Sequence, residues 1–405
     1  MRGVVYSPRW NWGRETAKIR MKNTMQSSST NSNANSKKRA VIIGGGIIGL
    51  GIGWQLAKAG CDVSIYDRNK AGRKASWAAA GMLSPLAEVN FDERNLLQIG
   101  LASYRTYPEW VEELELDSGM SVGFRTEGTL IIALDQDDAR ELQDLYELQT
   151  TLSLPVEWLT GAEARKIEPS LSPRTVAAIS CDSDLQVDNR LMVKALIHAF
   201  QEQGGILCED HPVEGIEIQG ETAKGIFVHG ALVEADVVVL AAGCWSPLIP
   251  NLPDAVRPPV RPVKGQMLAL KMDEPPIIQK VIHAPDAYLV PKNDGRLLVG
   301  ATSEEQGFDT QLTAGGMFEL LRGAWEALPG IYDFPIVETW VGLRPGSRDN
   351  APILGKTAIE NLIMATGHYR KGILLAPTTA REITSLILTD RTSEIITPFQ
   401  LLRFS

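Results

Sequence analysis

The first feature of the sequence that could perform chemistry is a glycine turn with an acid at a set distance behind it. Gly44, Gly46 and Gly49 form a GxGxxG pattern, and Asp67 stands 21 residues after Gly46. In such a motif the first glycine allows a tight turn, the second lets the backbone approach a pyrophosphate, and the third lets a helix pack closely on a strand. The acid accepts a hydrogen bond from a ribose hydroxyl. The pattern therefore predicts a dinucleotide site.

The elements needed to position this motif surround it in "VIIGGGIIGLGIGWQLAKAGCDVSIYD", residues 41–67. The β-branched run Arg39–Ile43 is typical of a buried parallel strand. A helical stretch follows and ends at Gly60, and "CDVSIYD" predicts a second strand. Each interior glycine costs a helix about 1 kcal/mol relative to alanine. Because Gly51 and Gly53 exceed what the motif requires, we expect them to allow close packing of the helix on the sheet.

Composition and charge limit the class of protein. The chain has 405 residues, of which 44% are hydrophobic, and this is an ordinary globular composition long enough for two domains. The formal net charge is −9 although residues 1–39 hold nine Lys and Arg against one acid, Glu15, so the remainder is strongly acidic and unsuited to nucleic acid. Four widely spaced cysteines favour a reducing compartment and argue against a thiolate metal site. The longest nearly apolar run, 40–54, is too short to span a bilayer, so a cytoplasmic protein without a membrane partner is expected.

Residues 1–38 differ from the rest in composition. The stretch "QSSSTNSNANSKKR" has too few apolar residues to order itself, which predicts a disordered tail. Its Arg- and Ser-rich, acid-poor character also fits a transit peptide, which would place the protein in an organelle. Two plainer interpretations stand beside the transit peptide. The tail is only a disordered extension, or translation starts later, at Met21 or Met25.

Later stretches distinguish FAD from NAD. A nicotinamide dehydrogenase would continue with βα repeats after the acid, but here "AGRKASWAAAGMLSP" follows, whose small residues let the backbone pass close to a flat group. "ALVEADVVVLAAGCWS", residues 231–246, predicts a buried strand running into a turn of small residues. "MATGHYRKGILLAPTTA", residues 364–380, predicts a strand, a glycine turn and a helix whose N-terminus could stabilise negative charge on a reduced flavin. Together these stretches favour FAD.

These stretches resemble the D-amino-acid oxidase group of FAD enzymes, and within it the glycine oxidases of thiamin biosynthesis. The matching segments cover nearly all of residues 39–390, and the more specific of them are "SWAAAGML" and "GLRPGSRD…GHYRKGILLAP". Further matches are "LQVDNRLMVKAL", "RPVKGQM" and "YLVPKNDGRLLVGAT", the last of which also predicts a hairpin with its turn at Asn293–Gly295.

The resemblance implies an α/β fold with two interleaved domains. A Rossmann-type FAD-binding domain of the glutathione-reductase kind is expected in residues 39–88, 175–255 and 341–392. An α+β substrate domain with a mainly antiparallel sheet is expected in residues 89–174 and 256–340. Residues 393–405 form a C-terminal tail in this scheme.

The resemblance also assigns residues to the cofactor. The covalent attachment of FAD in sarcosine oxidases needs a C-terminal cysteine, and the last cysteine here is Cys244, so non-covalent FAD is expected. The residues expected to contact its ADP half, its flavin edges or its adenine are Gly44, Gly46, Ile47, Ile48, Gly49, Asp67, Arg68, Ser76, Ala80, Gly81, Met82, Val213, Gly243, Gly367, Arg370, Lys371, Gly372, Ile373 and Leu374.

On the substrate side, the resemblance implies a carboxylate clamp. A planar guanidinium binds the carboxylate of an amino acid through two parallel hydrogen bonds. Arg344 matches the arginine that the family uses for this, Tyr288 matches a tyrosine that helps hold the carboxylate, and Arg370 matches a second arginine. The chain departs from some members at Asp286, where they have His, and at Ser303, where they have Met. Both positions are expected to face the substrate cavity.

The implied reaction is oxidation of glycine, sarcosine or a small D-amino acid by O2, which gives an imine, then an oxo acid and ammonia, with H2O2. The imine of glycine would pass to a thiazole synthase, and a homo-oligomer such as a tetramer is expected. Two alternatives stay open: a dehydrogenase of the same fold that passes electrons to a carrier, and a non-catalytic flavin-binding protein. The flavin-like stretches disfavour a third, an NAD-dependent dehydrogenase.

Overall fold

The computed structural model describes residues 37–87 and 94–405. The predicted tail therefore lies outside the described residues except for Lys37 and Lys38, as does the predicted boundary between residues 88 and 89. In these ranges the helices are α1 Ile47–Lys58, α2 Ala75–Ala78, α3 Arg94–Ser118, α4 Gln136–Thr151, α5 Gly161–Ile167, α6 Asn189–Glu202, α7 Ala314–Ala327 and α8 Gly372–Thr389. The strands are β1 Arg39–Ile43, β2 Asp62–Tyr66, β3 Met82–Leu83, β4 Thr129–Ala133, β5 Glu157–Thr160, β6 Ala177–Cys181, β7 Leu185–Gln186, β8 Ile206–Cys208, β9 Gly215–Gln219, β10 Thr222–Val228, β11 Ala231–Glu234, β12 Val237–Leu240, β13 Arg261–Lys271, β14 Val281–His283, β15 Tyr288–Pro291, β16 Arg296–Gly300, β17 Ile336–Gly346, β18 Ile353–Lys356 and β19 Leu362–Thr366.

A six-stranded sheet carries the glycine turn. Its order is β18-β19-β12-β1-β2-β8, and its neighbouring strands are parallel except for the antiparallel pair β18–β19. The strand, turn, helix and second strand predicted over residues 39–67 are confirmed as β1, α1 and β2. The apolar residues of β1 and β12 are buried because this sheet has structure on both faces. The α/β class is therefore confirmed.

The single strand predicted across residues 231–246 is wrong in its extent. β11 belongs to a small three-stranded sheet with β9 and β10, whereas β12 lies between β1 and β19. The side chains explain the division. Ala231, Leu232 and Glu234 of β11 are exposed, while all four residues of β12 are buried, so the two halves of the run lie in different environments.

The helices α1, α3, α6 and α8 pack against one another over one face of this sheet. A Cβ at Gly53 would lie 2.7 Å from Ile65 Cδ1 on β2, so the expectation of close packing on the sheet is confirmed there. It is wrong for Gly51, which faces Ala380 of α8 and Trp110 of α3 instead. Within the described ranges, no helix combines the length and the apolar character needed to cross a bilayer.

The second large sheet has eight strands. Its order is β17-β13-β16-β15-β14-β4-β6-β5, and its pairs are antiparallel except for β14 with β4. The predicted mainly antiparallel sheet is confirmed. The predicted hairpin is also confirmed, because β15 and β16 pair on either side of residues 292–295 with Tyr288 opposite Gly300.

The division of the chain into domain segments stays a prediction, but three packing details bear on it. β6, within the segment 175–255 expected in the FAD domain, pairs with β4 and β5 in the eight-stranded sheet. α3, within the segment 89–174 expected in the substrate domain, packs on α6 and α8. In the C-terminal stretch, Ile396 and Phe399 are buried and Arg403 Nε donates to Asp349 at 2.7 Å.

Candidate active site

A cavity of about 1030 Å³ is lined by both large sheets. One wall consists of the carboxyl ends of β1, β2, β12 and β19 with the segments that follow them, and the other of residues on β13, β15, β16 and β17. Ligands of open parallel sheets bind at the carboxyl ends of the strands. We call the first the glycine-turn wall, marked by Gly44, Gly46, Gly367 and Gly372, and the second the sheet wall, marked by Gly265, Tyr288 and Arg344.

The three motif glycines have different roles in the glycine-turn wall. Gly44 has φ +109°, and a Cβ there would lie 2.5 Å from the carbonyl oxygen of Ala241. A Cβ at Gly49 would overlap the carbonyl oxygen of Gly44, so this glycine serves the packing of α1 on the turn. At Gly46, which lines the cavity, a Cβ would meet only Ser76 Oγ among the described atoms, at 3.4 Å. Packing therefore does not require a glycine at position 46, but the close approach of a diphosphate would.

The N-terminus of α1 opens onto the cavity and has features that favour an anion. Ser76 Oγ accepts a hydrogen bond of 2.9 Å from Ile47 N, the first N–H of the helix, and both residues line the cavity. The first turn has no acidic side chain. Arg73 and Lys74, close before Ser76, also line the cavity. A helix N-terminus with nearby cations favours a phosphate, so this part of the wall fits the diphosphate of a dinucleotide.

Asp67 holds the turn as well as facing the cavity. Its carboxylate accepts hydrogen bonds from Gly45 N and Asn69 N, each at 2.9 Å. Burial raises the pKa of Asp67, and the two N–H groups oppose that rise. The carbonyl oxygen of Asp67 accepts from His211 N at 2.8 Å, which holds the segment of Val213 beside it. Asp67 and Val213 both line the cavity, as the predicted ribose and adenine contacts require.

At the other end of the same wall, α8 begins at Gly372. Gly367 has φ +75°, as the predicted glycine turn after β19 requires. His368 is buried, Nε2 lies 3.1 Å from Thr379 Oγ1, and burial lowers the pKa of His368 to about 3. The ring is therefore neutral near pH 7, and the charge of this stretch comes from Arg370 and Lys371, which line the cavity with the helix N-terminus.

On the sheet wall, Arg344 and Tyr288 each lie over a glycine of a neighbouring strand. A Cβ at Gly265 would lie 2.7 Å from Arg344 Cζ, and a Cβ at Gly300 would lie 2.5 Å from the hydroxyl oxygen of Tyr288. Both side chains are half-buried and line the same cavity. The Tyr288 hydroxyl lies 3.7 Å from Met267 Sδ. The two glycines give the guanidinium and the phenol room to lie flat against the strands.

The sheet wall also holds a polar network that the sequence analysis missed. Arg344 Nη1 donates to the carbonyl oxygens of Thr302 at 3.0 Å and Lys264 at 3.4 Å. Thr302 Oγ1 accepts from Gln266 N at 2.8 Å and donates to Glu304 Oε1 at 2.5 Å. Gln266 Nε2 donates to the same carboxylate oxygen at 2.8 Å. The segments "RPVKGQM" and "VGAT" match the family in sequence, but the sequence analysis assigned no role to the residues of this network.

The predicted site residues converge on this one cavity. Every predicted cofactor and substrate residue lines it except Gly49, which packs behind the turn. Asp286 also lines it, as expected, whereas Ser303 is exposed and lies outside the lining, with its hydroxyl oxygen 3.4 Å from Arg370 Nη2. Arg68 is exposed and stacks over the Trp245 ring at 4.2 Å. The contacts of these residues with a cofactor or a substrate stay predictions.

The fold and this cavity define a class of protein. A family model described as FAD dependent oxidoreductase (DAO) matches residues 39–386. The chain belongs to this FAD-dependent oxidoreductase family, which confirms the predicted fold and FAD as the cofactor.

Within the family, the chain is similar to glycine oxidases, as its sequence predicts. It is 33% identical to the glycine oxidase of Geobacillus kaustophilus over 365 residues, which are 89% of this chain and 96% of that protein. The crystal structure of glycine oxidase from Geobacillus kaustophilus superposes with a TM-score of 0.84, covering 90% of this chain and 99% of the other. The chain is also 38% identical to the bifunctional protein ThiO/ThiG of Synechocystis, over 90% of this chain. It spans about half, 54%, of that relative's length.

Proposed function

We propose that this protein catalyses the FAD-dependent oxidation of glycine, or of another small amine or amino acid, by O2. The observation that carries the proposal is that one cavity joins the dinucleotide features of the glycine-turn wall to Arg344 and Tyr288 on the sheet wall. A flavin site without a substrate needs cations beside the diphosphate, on the glycine-turn wall, but has no need of an arginine on the sheet wall. The glycine oxidases among the relatives support the same reaction class.

The chain contributes binding and orientation. Residues of the glycine-turn wall would hold FAD, which would supply the acceptor for the two electrons and two hydrogens that the substrate loses from Cα and N, and these would pass to O2 as H2O2. Arg344 binds the substrate carboxylate, and the carbonyl oxygens of Thr302 and Lys264 orient its Nη1. Tyr288 donates to the same carboxylate. The product imine is hydrolysed by water to the oxo acid and ammonia, or to the oxo acid and methylamine when the substrate is sarcosine. Catalysis therefore rests mainly on holding the substrate in a reactive orientation.

Asp286 sets the charge preference of the cavity in this proposal. Its carboxylate lines the cavity and lies 3.3 Å from Arg322 Nη2, and both side chains are solvent-exposed. A negative charge in the lining repels a second carboxylate and favours an amine. The preferred substrates are then small neutral amino acids such as glycine, sarcosine and D-alanine rather than acidic ones.

Two further parts of the proposal concern the fate of the imine and the oligomeric state of the enzyme. Relatives of this chain carry the name bifunctional protein ThiO/ThiG, and the match covers only about half of their length. We propose that the imine of glycine passes to a thiazole synthase for thiamin biosynthesis, that the enzyme is a homo-oligomer such as a tetramer, and that it works in the cytoplasm. Size-exclusion chromatography with light scattering tests the assembly, and a coupled assay with a thiazole synthase tests the hand-over.

A substrate panel under air tests the reaction. The purified protein, loaded with FAD, is given glycine, sarcosine, D-alanine, D-proline and D-aspartate, and peroxide and ammonia are measured. We expect peroxide with the small neutral substrates and little with D-aspartate. Reduction of the flavin without peroxide, together with activity on an artificial electron acceptor, would identify a dehydrogenase. No flavin reduction by any substrate would favour the non-catalytic alternative.

The attachment of the cofactor has its own test. We expect the yellow protein to release intact FAD into the supernatant on acid or heat denaturation, because Cys244 is the last cysteine and is buried. Flavin that stays with the precipitated chain would contradict non-covalent binding.

A further inference from the structure

Helix α8, whose first turn lines the cavity, is interrupted by a proline. Pro377 lies six residues into the helix and has no N–H to donate to the carbonyl oxygen of Ile373, one turn earlier. A buried carbonyl without a partner is costly, so this one must find a donor elsewhere. Both Ile373 and Leu374, the residues of that turn, line the cavity.

Helix α3 supplies the missing donor and a second hydroxyl beside it. Tyr107 Oη donates to the carbonyl oxygen of Ile373 at 3.1 Å. Ser103 Oγ donates to the carbonyl oxygen of Leu374 at 2.6 Å and accepts from Thr378 N at 3.4 Å, so its hydroxyl bridges the helix ladder beside the proline. Ser103 and Tyr107 are four residues apart, one turn of α3, and so they meet consecutive residues of α8.

The burial of this contact makes it specific. The side chains of Ser103 and Tyr107 are fully buried, with 0% exposure. Burial raises the pKa of Tyr107 well above its usual range, so the phenol stays protonated and remains a donor. Met192 Sδ also lies 3.3 Å from Tyr107 Oη, but a thioether is a weak acceptor and the single proton goes to the carbonyl. Water cannot replace either donor without entering the core.

We infer that Ser103 and Tyr107 are positioning residues that fix the first turn of α8 against the flavin. Tyr107 replaces the helix bond that Pro377 removes, and Ser103 bridges Leu374 and Thr378 beside it. The inference rests on the FAD site proposed above for residues 367–374. It assigns to α3, which does not contact the cofactor through these two side chains, the task of holding the N–H groups of α8 in register with the flavin edge. Other hydroxyls of α3 point elsewhere and provide matched controls.

The test compares Tyr107→Phe with Tyr104→Phe. Both changes remove one phenol hydroxyl from α3, but Tyr104 Oη donates to the carbonyl oxygen of Ser183, away from α8. We expect Tyr107→Phe to raise the Kd of FAD about three- to tenfold and to shift the flavin reduction potential and absorbance spectrum, because one unsatisfied carbonyl disturbs the turn. Tyr104→Phe should leave all three at wild-type values, whatever it does to the melting temperature.

A rescue variant separates positioning from packing. Pro377→Ala restores an N–H that can bond the carbonyl oxygen of Ile373, so the double variant Tyr107→Phe/Pro377→Ala should recover most of the FAD affinity and the wild-type potential. Equal behaviour of Tyr107→Phe and Tyr104→Phe, or a double variant no better than Tyr107→Phe, would overturn the inference. If Tyr107→Phe does not fold, the same measurements compare Ser103→Ala with Ser118→Ala. Ser118 is a buried serine of the same helix, and its hydroxyl donates to the carbonyl oxygen of Leu114. A wild-type protein that binds no FAD would instead refute the proposed function.

Discussion

The two walls of the cavity use different materials. The glycine-turn wall relies on backbone: glycines that allow close approach and the N-termini of α1 and α8. The sheet wall relies on side chains, with Arg344 and Tyr288 each lying over a glycine of the next strand. A diphosphate and a flat ring are bound by N–H groups and open space, whereas a small carboxylate needs a placed guanidinium. The first kind of wall depends on local sequence, and the second depends on strand register.

Removing Arg344 should have the largest effect and should separate the walls. We expect Arg344→Ala to lower kcat/KM for glycine about a hundred- to ten-thousandfold, because two charge-assisted hydrogen bonds of about 1.5–3 kcal/mol each are lost. Arg344→Lys keeps the charge but loses the fork, and we expect a fall of roughly ten- to a hundredfold. Steady-state kinetics measure both, with the Kd of FAD determined alongside.

Arg348→Ala is the control, since Arg348 is exposed and stacks on the Phe404 ring. Its kcat/KM and the FAD affinity of all three variants should stay at wild-type values. Near-normal kcat/KM in Arg344→Ala would remove Arg344 as the clamp and make Arg370 the leading candidate.

The glycine-turn wall should break in the opposite way. We expect Gly44→Ala to raise the Kd of FAD about ten- to a hundredfold, because the new Cβ would press on the carbonyl oxygen of Ala241 in the turn. Gly60→Ala is the matched control, since its φ of +87° carries similar backbone strain but nothing lies within 4 Å of the added atom. Titration of the apoprotein with FAD gives both Kd values. An equal loss of FAD affinity in the two variants would show that backbone strain alone, and not the contact with Ala241, causes the loss.

A smaller change tests how the sheet wall positions Arg344. Gly265→Ala adds one methyl group 2.7 Å from Arg344 Cζ, which must displace the guanidinium without removing it. We expect a rise in KM for glycine of about tenfold, with kcat and FAD affinity less affected. Gly315→Ala, where the added methyl group meets open space, is the control. An unchanged KM would mean that the position of Arg344 is not set by this strand.

The smallest effect concerns pH. Burial lowers the pKa of His368 from 6.5 to about 3, so below pH 6.5 the unfolded chain binds a proton that the folded protein does not. The free energy of unfolding should therefore fall as pH falls from 6.5 towards 3, by up to about 1.4 kcal/mol per pH unit from this residue. Urea unfolding at several pH values measures the slope. His368→Gln should reduce it, while His198→Gln, at an exposed position on α6, should not.

Much of the glycine-turn wall followed from local sequence. The strand, turn, helix and acid of residues 39–67 are contiguous, so their spacing alone brings Gly46 and Asp67 to one place. Ser76 lies outside this stretch. The hairpin of β15 and β16 followed for the same reason, because its strands and turn are adjacent in the chain. Errors arose where a run crosses between layers: β11 and β12 read as one apolar strand, and only their partners separate them.

The sequence by itself determined the family and the cofactor, and it predicted the residue types at the site, because the chemistry of a glycine turn, a carboxylate and a guanidinium does not depend on their place in the chain. Tertiary structure decided which side chains support them. Pairing of β13 with β17 places Gly265 under Arg344, and the polar group around Glu304 forms only when residues 264–266 and 302–304 meet. The bonds from Ser103 and Tyr107 to α8 join residues about 270 apart in the chain, since their separations are 271 and 266. No local pattern encodes such contacts, because they depend on how whole helices and strands pack.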